Sequence, residues 1–237
     1  MRRVVACSAL LAVALVSGTA VRAQRETSVP PALQRFLATS EQGPAAYRAF
    51  RHLEARNGHL SDAAWMDVWT TADESGFVYQ IVGQGGSGYV RDRVFVPALE
   101  AERTMWGAGA GGALTHENYT FEDLGADPRG LAWIGLKPRR RDVLLVNGSA
   151  FLRPDDGDLV RLEGALSRTP SFWTRKVEIV RRYDRIAGVR LPVAFESVAS
   201  IRMAGKATFT MSYEYHTVNG LNVSGGPTPT AAAWVSR

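Results

Sequence analysis

A chain of 237 residues with 46% hydrophobic and 9% aromatic content can bury one large core, which excludes a disordered polypeptide and a crosslink-dependent miniprotein. The net charge of +5 is mostly local: taking Arg2, Arg3 and Arg22 off the 28 basic residues leaves 25 against 23 acidic, too even a balance for a charge-driven nucleic-acid binder. The single cysteine, Cys7, lies in the same N-terminal segment, so thiolate catalysis, thiolate metal ligation and disulfides are excluded for all that follows.

Arg2 and Arg3 precede the apolar run VVACSALLAVALV, and VRAQ follows with small residues at Val21 and Ala23. This is the pattern of a signal peptide over residues 1–23, cleaved after Ala23. The run is shorter than the roughly 20 residues needed to cross a bilayer, so no stable membrane anchor is expected. Arginine far outnumbers lysine, which occurs only at Lys137, Lys176 and Lys206. We read this as the composition of a GC-rich bacterium, which puts the exported protein in the periplasm and away from nucleic acid.

Residues 24–43 form a leader with one short helix: Ser28 is its cap, prolines occupy the first turn, and Leu33, Phe36 and Leu37 share a face. The main domain is expected over 44–220. It opens with a second helix in GPAAYRAFRHLEARNG, where Ala46, Tyr47, Phe50 and Leu53 make a stripe and Asn57-Gly58 a stop. From Trp65 the period falls to two. WMDVWTT and GFVYQIV read as strands around the turn ADESG, GYVRDRVFV continues extended, and PALEAERTMW makes a third helix started by Pro97. GAGAGGALTHEN is a glycine-rich linker.

Beyond it, Asn147-Gly148 is the hairpin signal between DVLLV and SAFLRP, PDDGD turns the chain at 154–158, and LVRLEGAL is a strand. Three alternating runs follow. Trp173, Val177, Ile179 and Tyr183 oppose Lys176, Glu178, Arg182 and Asp184; the odd positions from Val189 to Met203 are mostly apolar; Ala207, Phe209, Met211, Tyr213 and Tyr215 share one face of the last run. Turns at Ala187-Gly188 and Ala204-Gly205 make this an antiparallel meander with one buried face. Residues 221–237 carry no pattern and form a flexible tail.

Several motifs suggest chemistry that their context does not support. GQGGSGYV matches the dinucleotide fingerprint, but a charged extended segment follows where a helix should open, and no kinase partner motif is present. GGSGY has Tyr89 where a nucleophile elbow needs glycine. His52, His59, His116 and His216 lack metal-ligand spacing, so no metal, no cofactor and no enzyme activity are expected. KPRRRD, containing Arg139, Arg140 and Arg141, reads first as a solvated loop and second as a contact for anionic headgroups or a partner. Arg175 and Arg181 share the parity of the apolar set, marking a sheet end, a bulge, or a rim that meets an acidic headgroup.

In order along the chain, GQGGSGYVRDRV, LTHENYTFEDLG, LVRLEGALSRTPSFW, YDRIAGVRLP and YEYHTVNG resemble secreted bacterial proteins of the LolA-like, outer-membrane lipoprotein-sorting group. The resemblance covers roughly residues 45–220. It implies a mainly β fold: a single curved antiparallel sheet or incomplete barrel with short covering helices around an apolar hollow. Independently, a fifteen-residue strand spans about 45–50 Å while a ten-residue helix spans about 15 Å. Three short helices therefore cannot cover the sheet, which either coils on itself or leaves apolar face for a ligand. Candidates for the lining are Trp65, Trp69, Phe77, Tyr79, Trp173, Ile179, Phe195, Ile201, Phe209, Met211 and Tyr213. The expected function is a soluble protein that shelters lipid or lipoprotein acyl chains; the alternative is an envelope sensor or scaffold that binds a protein partner.

Overall fold

The alternation of residues 47–57 sets the architecture. Tyr47, Ala49, Leu53 and Ala55 are buried on one side of strand β1 (Tyr47–Asn57), which is paired on both edges. The helix expected there is corrected: a stripe of Ala46, Tyr47, Phe50 and Leu53 fits a helical period, but central pairing rewards the equally good period of two. A computed structural model of the chain describes residues 29–39, 43–57, 63–106, 112–172, 174–202 and 205–223. The expected signal peptide, its cleavage site, Trp173 and most of the tail lie outside the described residues.

Strands β2 (Ala63–Asp73) and β3 (Gly76–Gly86) follow β1 as antiparallel neighbours. A helical segment comes next, made of α2 (Gly88–Val90), a π-helical stretch Arg91–Phe95, and α3 (Val96–Met105). Then β4 (Tyr119–Ala126), β5 (Ala132–Pro138), β6 (Val146–Leu152), β7 (Leu159–Leu166), β8 (Thr174–Ile186), β9 (Val189–Ile201) and β10 (Gly205–Val218) run as one meander. The short β11 (Leu221–Asn222) pairs with β10, so the start of the expected tail is ordered. The sheet order is β3-β2-β1-β10-β9-β8-β7-β6-β5-β4, open, with β3 and β4 at its two edges. The fold is thus the mainly β, open antiparallel sheet with short helices that the sequence led us to expect.

Two further expectations are corrected. GYVRDRVFV is helical: Ser87 caps the Val90 N–H, and the π turn brings Val90, Phe95 and Leu99 onto one buried face despite a spacing of five residues between the first two. Asn147-Gly148 is no hairpin but lies inside β6, opposite Gly164 of β7. The two backbones approach so closely there that a Cβ on Gly148 would sit 2.0 Å from the Glu163 carbonyl oxygen.

The inner face of the sheet is covered in two places. The α2–α3 segment packs Val90, Phe95 and Leu99 against Ala49, Leu53, Met66, Val68 and Met211 of β1, β2 and β10. Helix α1 (Pro31–Ala38) sets Ala32 and Leu33 against Ile134, Leu136, Ala150 and Leu152 of β5 and β6. Phe195 of β9 touches both cores.

Candidate binding site between the sheet and its helical lid

Along the inner face of β1, one residue breaks the apolar series. Arg51 is 1% exposed and reaches up to α3, where its Nη1 and Nη2 donate to Glu102 Oε2 and Oε1 at 2.6 and 2.8 Å. Its Nη2 also donates to the Tyr47 hydroxyl at 2.6 Å, and that hydroxyl donates to Glu102 Oε1 at 3.1 Å. The guanidinium lies 4.7 Å from the Tyr213 ring centre and 5.4 Å from that of Phe77. Among the described residues no acceptor meets its Nε.

The environment fixes the charges. Burial works against the charged form of Glu102, but the Arg51 hydrogen bonds and charge outweigh it and hold the carboxyl below its ordinary value. Burial likewise opposes the Arg51 cation, and Glu102 more than restores it. Burial drives the Tyr47 and Tyr213 hydroxyls up, keeping both neutral. A charged pair thus spans the interface between the sheet and the α2–α3 segment beside aromatic rings. Tyr79 of β3 donates to Glu100 Oε1 at 2.7 Å, and the Trp106 indole N–H donates to the Asp73 carbonyl at 2.9 Å, so the α2–α3 segment is held at three points.

Of the expected lining residues, Phe77, Tyr79, Phe195, Phe209, Met211 and Tyr213 gather around this latch, all within or against the first core. Ile179 lies instead in the second core, and Ile201 is half-buried at the end of β9. Trp65 and Trp69 are corrected: β2 buries its even positions, so both indoles point to the outer face. There Trp69 meets Phe50, His216 and Arg48. Trp65, 40% exposed, lies across β3, where a Cβ on Gly85 would come within 2.5 Å of its Nε1. The glycines of GQGGSG therefore make room for an indole, not a phosphate.

Of the expected headgroup contacts, Arg181 faces inward, over the Phe195 ring at 5.4 Å, with its charge reaching Glu102. Arg175 is exposed, and Arg139, Arg140 and Arg141 stay together in the β5–β6 connection. Arg139 Nε donates to the His116 carbonyl at 2.7 Å, and Arg140 binds Asn118 Oδ1. Among the described residues no group of three or more His, Asp or Glu side chains could hold a metal ion.

Sequence reasoning missed Arg51, Glu102 and Tyr47 because it placed the first of them on a helix. The signal was present: an arginine in the apolar phase of an alternating run, the same anomaly that singled out Arg181.

No family model matches the chain, and no curated protein matches it in sequence. Similar solved structures include a DUF1329 family protein from Desulfovibrio piger, 9% identical over 77% of this chain and 88% of that one, TM-score 0.37. A LolA superfamily protein from Nitrosomonas europaea is 11% identical over 77% of this chain and 90% of its own, TM-score 0.37. A domain named for outer membrane lipoprotein sorting, from Vibrio parahaemolyticus, is 12% identical over 81% and 91%, TM-score 0.40. At these identities and scores neither a family nor a residue role passes from those proteins to this chain.

Proposed function

We propose that the chain is a soluble periplasmic protein that shelters lipid or lipoprotein acyl chains between the inner face of its sheet and the α2–α3 lid, with no covalent step. The observation that supports this best is the Arg51–Glu102 latch. A buried ion pair costs desolvation that an apolar pair of similar volume avoids, so it is a poor device for simply holding two elements together. It suits an interface that must separate, because the enclosed Arg51 charge regains water when the lid lifts, while Glu102, one-third exposed, already meets it. The orphaned Arg51 Nε adds to the cost of the closed state.

Lifting the lid would bare Phe77, Phe209, Met211 and their neighbours to an incoming chain. Each buried methylene contributes about 0.8 kcal/mol, enough over an acyl chain to replace the lost lid contacts. Handover then requires an acceptor that competes for the same chain. The test is to purify the protein from its native envelope, look for bound lipid by native mass spectrometry and solvent extraction, and titrate it with fluorescent fatty acyl probes. We expect bound lipid or saturable probe binding, faster in Glu102→Gln; a protein always free of lipid and inert to the probes would sink the proposal.

A second reading, a scaffold that binds a protein partner, is favoured by the edge strand β3. Its Val78 is 62% exposed and Ile81 and Val82 are exposed beside it, an edge open to strand addition. A stoichiometric partner that survives delipidation and is lost in Val78→Lys would support it.

A further inference from the structure

We infer that the end of the sheet carrying the β5–β6, β7–β8 and β9–β10 connections docks on bilayers that expose anionic phospholipid headgroups. The first two connections are tied into one surface. The Ser167 N–H donates to the Leu145 carbonyl at 2.7 Å, and the Asp142 N–H donates to Ser167 Oγ at 2.9 Å. Arg141, Arg168 and Phe172 line one open depression on it, and Arg202, at the end of β9, lies over the Phe172 ring at 4.7 Å. Phe172 is 74% exposed, and Val143 and Leu144 are exposed nearby. Phenylalanine at the tip of an arginine-ringed loop combines an apolar wedge with cations at the depth of phosphates.

The charge is complementary to such a surface and to little else in the molecule. The connections at this end, residues 113–118, 139–145 and 167–173, together with Arg175 at the start of β8 and Arg202, hold Arg139, Arg140, Arg141, Arg168, Arg175 and Arg202 against the acids Glu117 and Asp142. Asp142 is occupied by its own loop: its carboxylate accepts from the Leu144 N–H at 3.0 Å and pairs with Arg140 at 3.4 Å. The opposite end reverses the sign. Its connections at 73–75, 127–131 and 153–158 and the β8–β9 turn at 184–190 carry Asp73, Glu74, Asp127, Asp155, Asp156, Asp158 and Asp184 against Arg129, Arg153, Arg185 and Arg190. An anionic surface would therefore orient the molecule with the arginine end down. Guanidinium groups can grip phosphate through two parallel N–H donors, which makes these arginines better suited to headgroups than lysines.

The inference does not rest on acyl-chain sheltering and is separable from it by experiment. The full chain is floated with phosphatidylcholine vesicles and with vesicles that also contain phosphatidylglycerol, at low and high salt. Binding should require phosphatidylglycerol and be lost at high salt. Each arginine neutralised should lower partitioning about fivefold, so Arg141→Glu/Arg168→Glu should abolish it, and Phe172→Ser should weaken it at every salt concentration. All three side chains lie at the surface, so circular dichroism and thermal melting should be unchanged. A protein that takes no acyl probe yet binds these vesicles would support docking and not sheltering. Equal binding to both vesicle types, no binding at low salt, full binding by the double arginine variant, or arginine-dependent capture of an acidic protein with no vesicle binding would each overturn the inference.

Discussion

The two helical coverings of the inner face solve the same problem by opposite means. Helix α1 buries Ala32 and Leu33 in an all-apolar contact and keeps the contacts made through charged groups at the sheet end. There Arg35 donates to the Pro154 carbonyl at 2.6 Å, and Gly157 fits so tightly that a Cβ would lie 2.5 Å from the Ala32 carbonyl oxygen. Asp158 anchors that corner through Arg153, Arg185 and Arg190, and Arg190 stacks over Phe36 of the helix at 5.1 Å. Helix α3 does the reverse, enclosing the Arg51 cation beneath it with its Glu102 partner one-third exposed at the rim. On the proposed function α1 is the fixed plug, with its charged contacts at the margin, and lifting α3 would return the enclosed Arg51 charge to water.

Acid should weaken both halves and have the largest effect. Burial opposes the Asp158 charge, yet the Arg185 hydrogen bonds and the charges of Arg185, Arg190 and Arg153 hold its carboxyl below the ordinary 3.8, as Arg51 holds Glu102 below 4.5. A folded pKa below the unfolded value gives stability that is complete above the unfolded value and is lost as pH falls through the folded one. Urea midpoints should therefore be level from neutral pH down to those ordinary values and fall steeply below them. A midpoint that already fell between pH 7 and 6 would count against these two carboxylates as the cause.

Asp158→Ala comes next. It leaves three arginines facing one another, and because they cover the carboxylate near the surface we expect the lower end of the cost of breaking a buried pair, about 3 kcal/mol by chemical denaturation. Acyl-probe kinetics should not change. Glu102→Gln is smaller in stability, about 2 kcal/mol, but should speed probe uptake and raise amide exchange across residues 90–105 while leaving 31–38 protected. If both variants moved the probe kinetics alike, the distinction between plug and lid would fail. Tyr79→Phe removes one hydrogen bond to Glu100 and should cost under about 1 kcal/mol, visible as faster exchange of α3 amides alone.

The sequence carried the meander from 174 to 218 almost complete, because both faces of those strands obey the period of two and their turns are chemically marked. It failed wherever two periods fitted the same residues. Tyr47–Asn57 satisfied helix and strand alike, and only pairing with β2 and β10 decides between them. The π turn at Arg91–Phe95 was unreadable, since it removes the spacing that identifies a helix. A glycine misled once: at Gly148 the lack of a Cβ serves a neighbouring backbone and not a turn, as at Gly85 it serves an indole, and glycine in sequence does not say which use it has. The aromatic part of the candidate site was legible, but the charge at its centre was not, because it depends on a helix reached only through the tertiary fold.

Strand β1 pairs with β10 along its length, and the Asn219 side-chain oxygen accepts from the Ala46 N–H, 173 residues away in the chain. That seam sets the order of assembly. The hairpins of β1–β3 can form as soon as they emerge, but β1 waits with an open edge until β10 is available. Loop closure over such a distance is slow, and an unpaired central strand is prone to the wrong neighbour. Truncation within β10 should accordingly yield aggregation rather than a smaller folded protein, and a holding chaperone should speed recovery of the intact chain more than it raises its final stability.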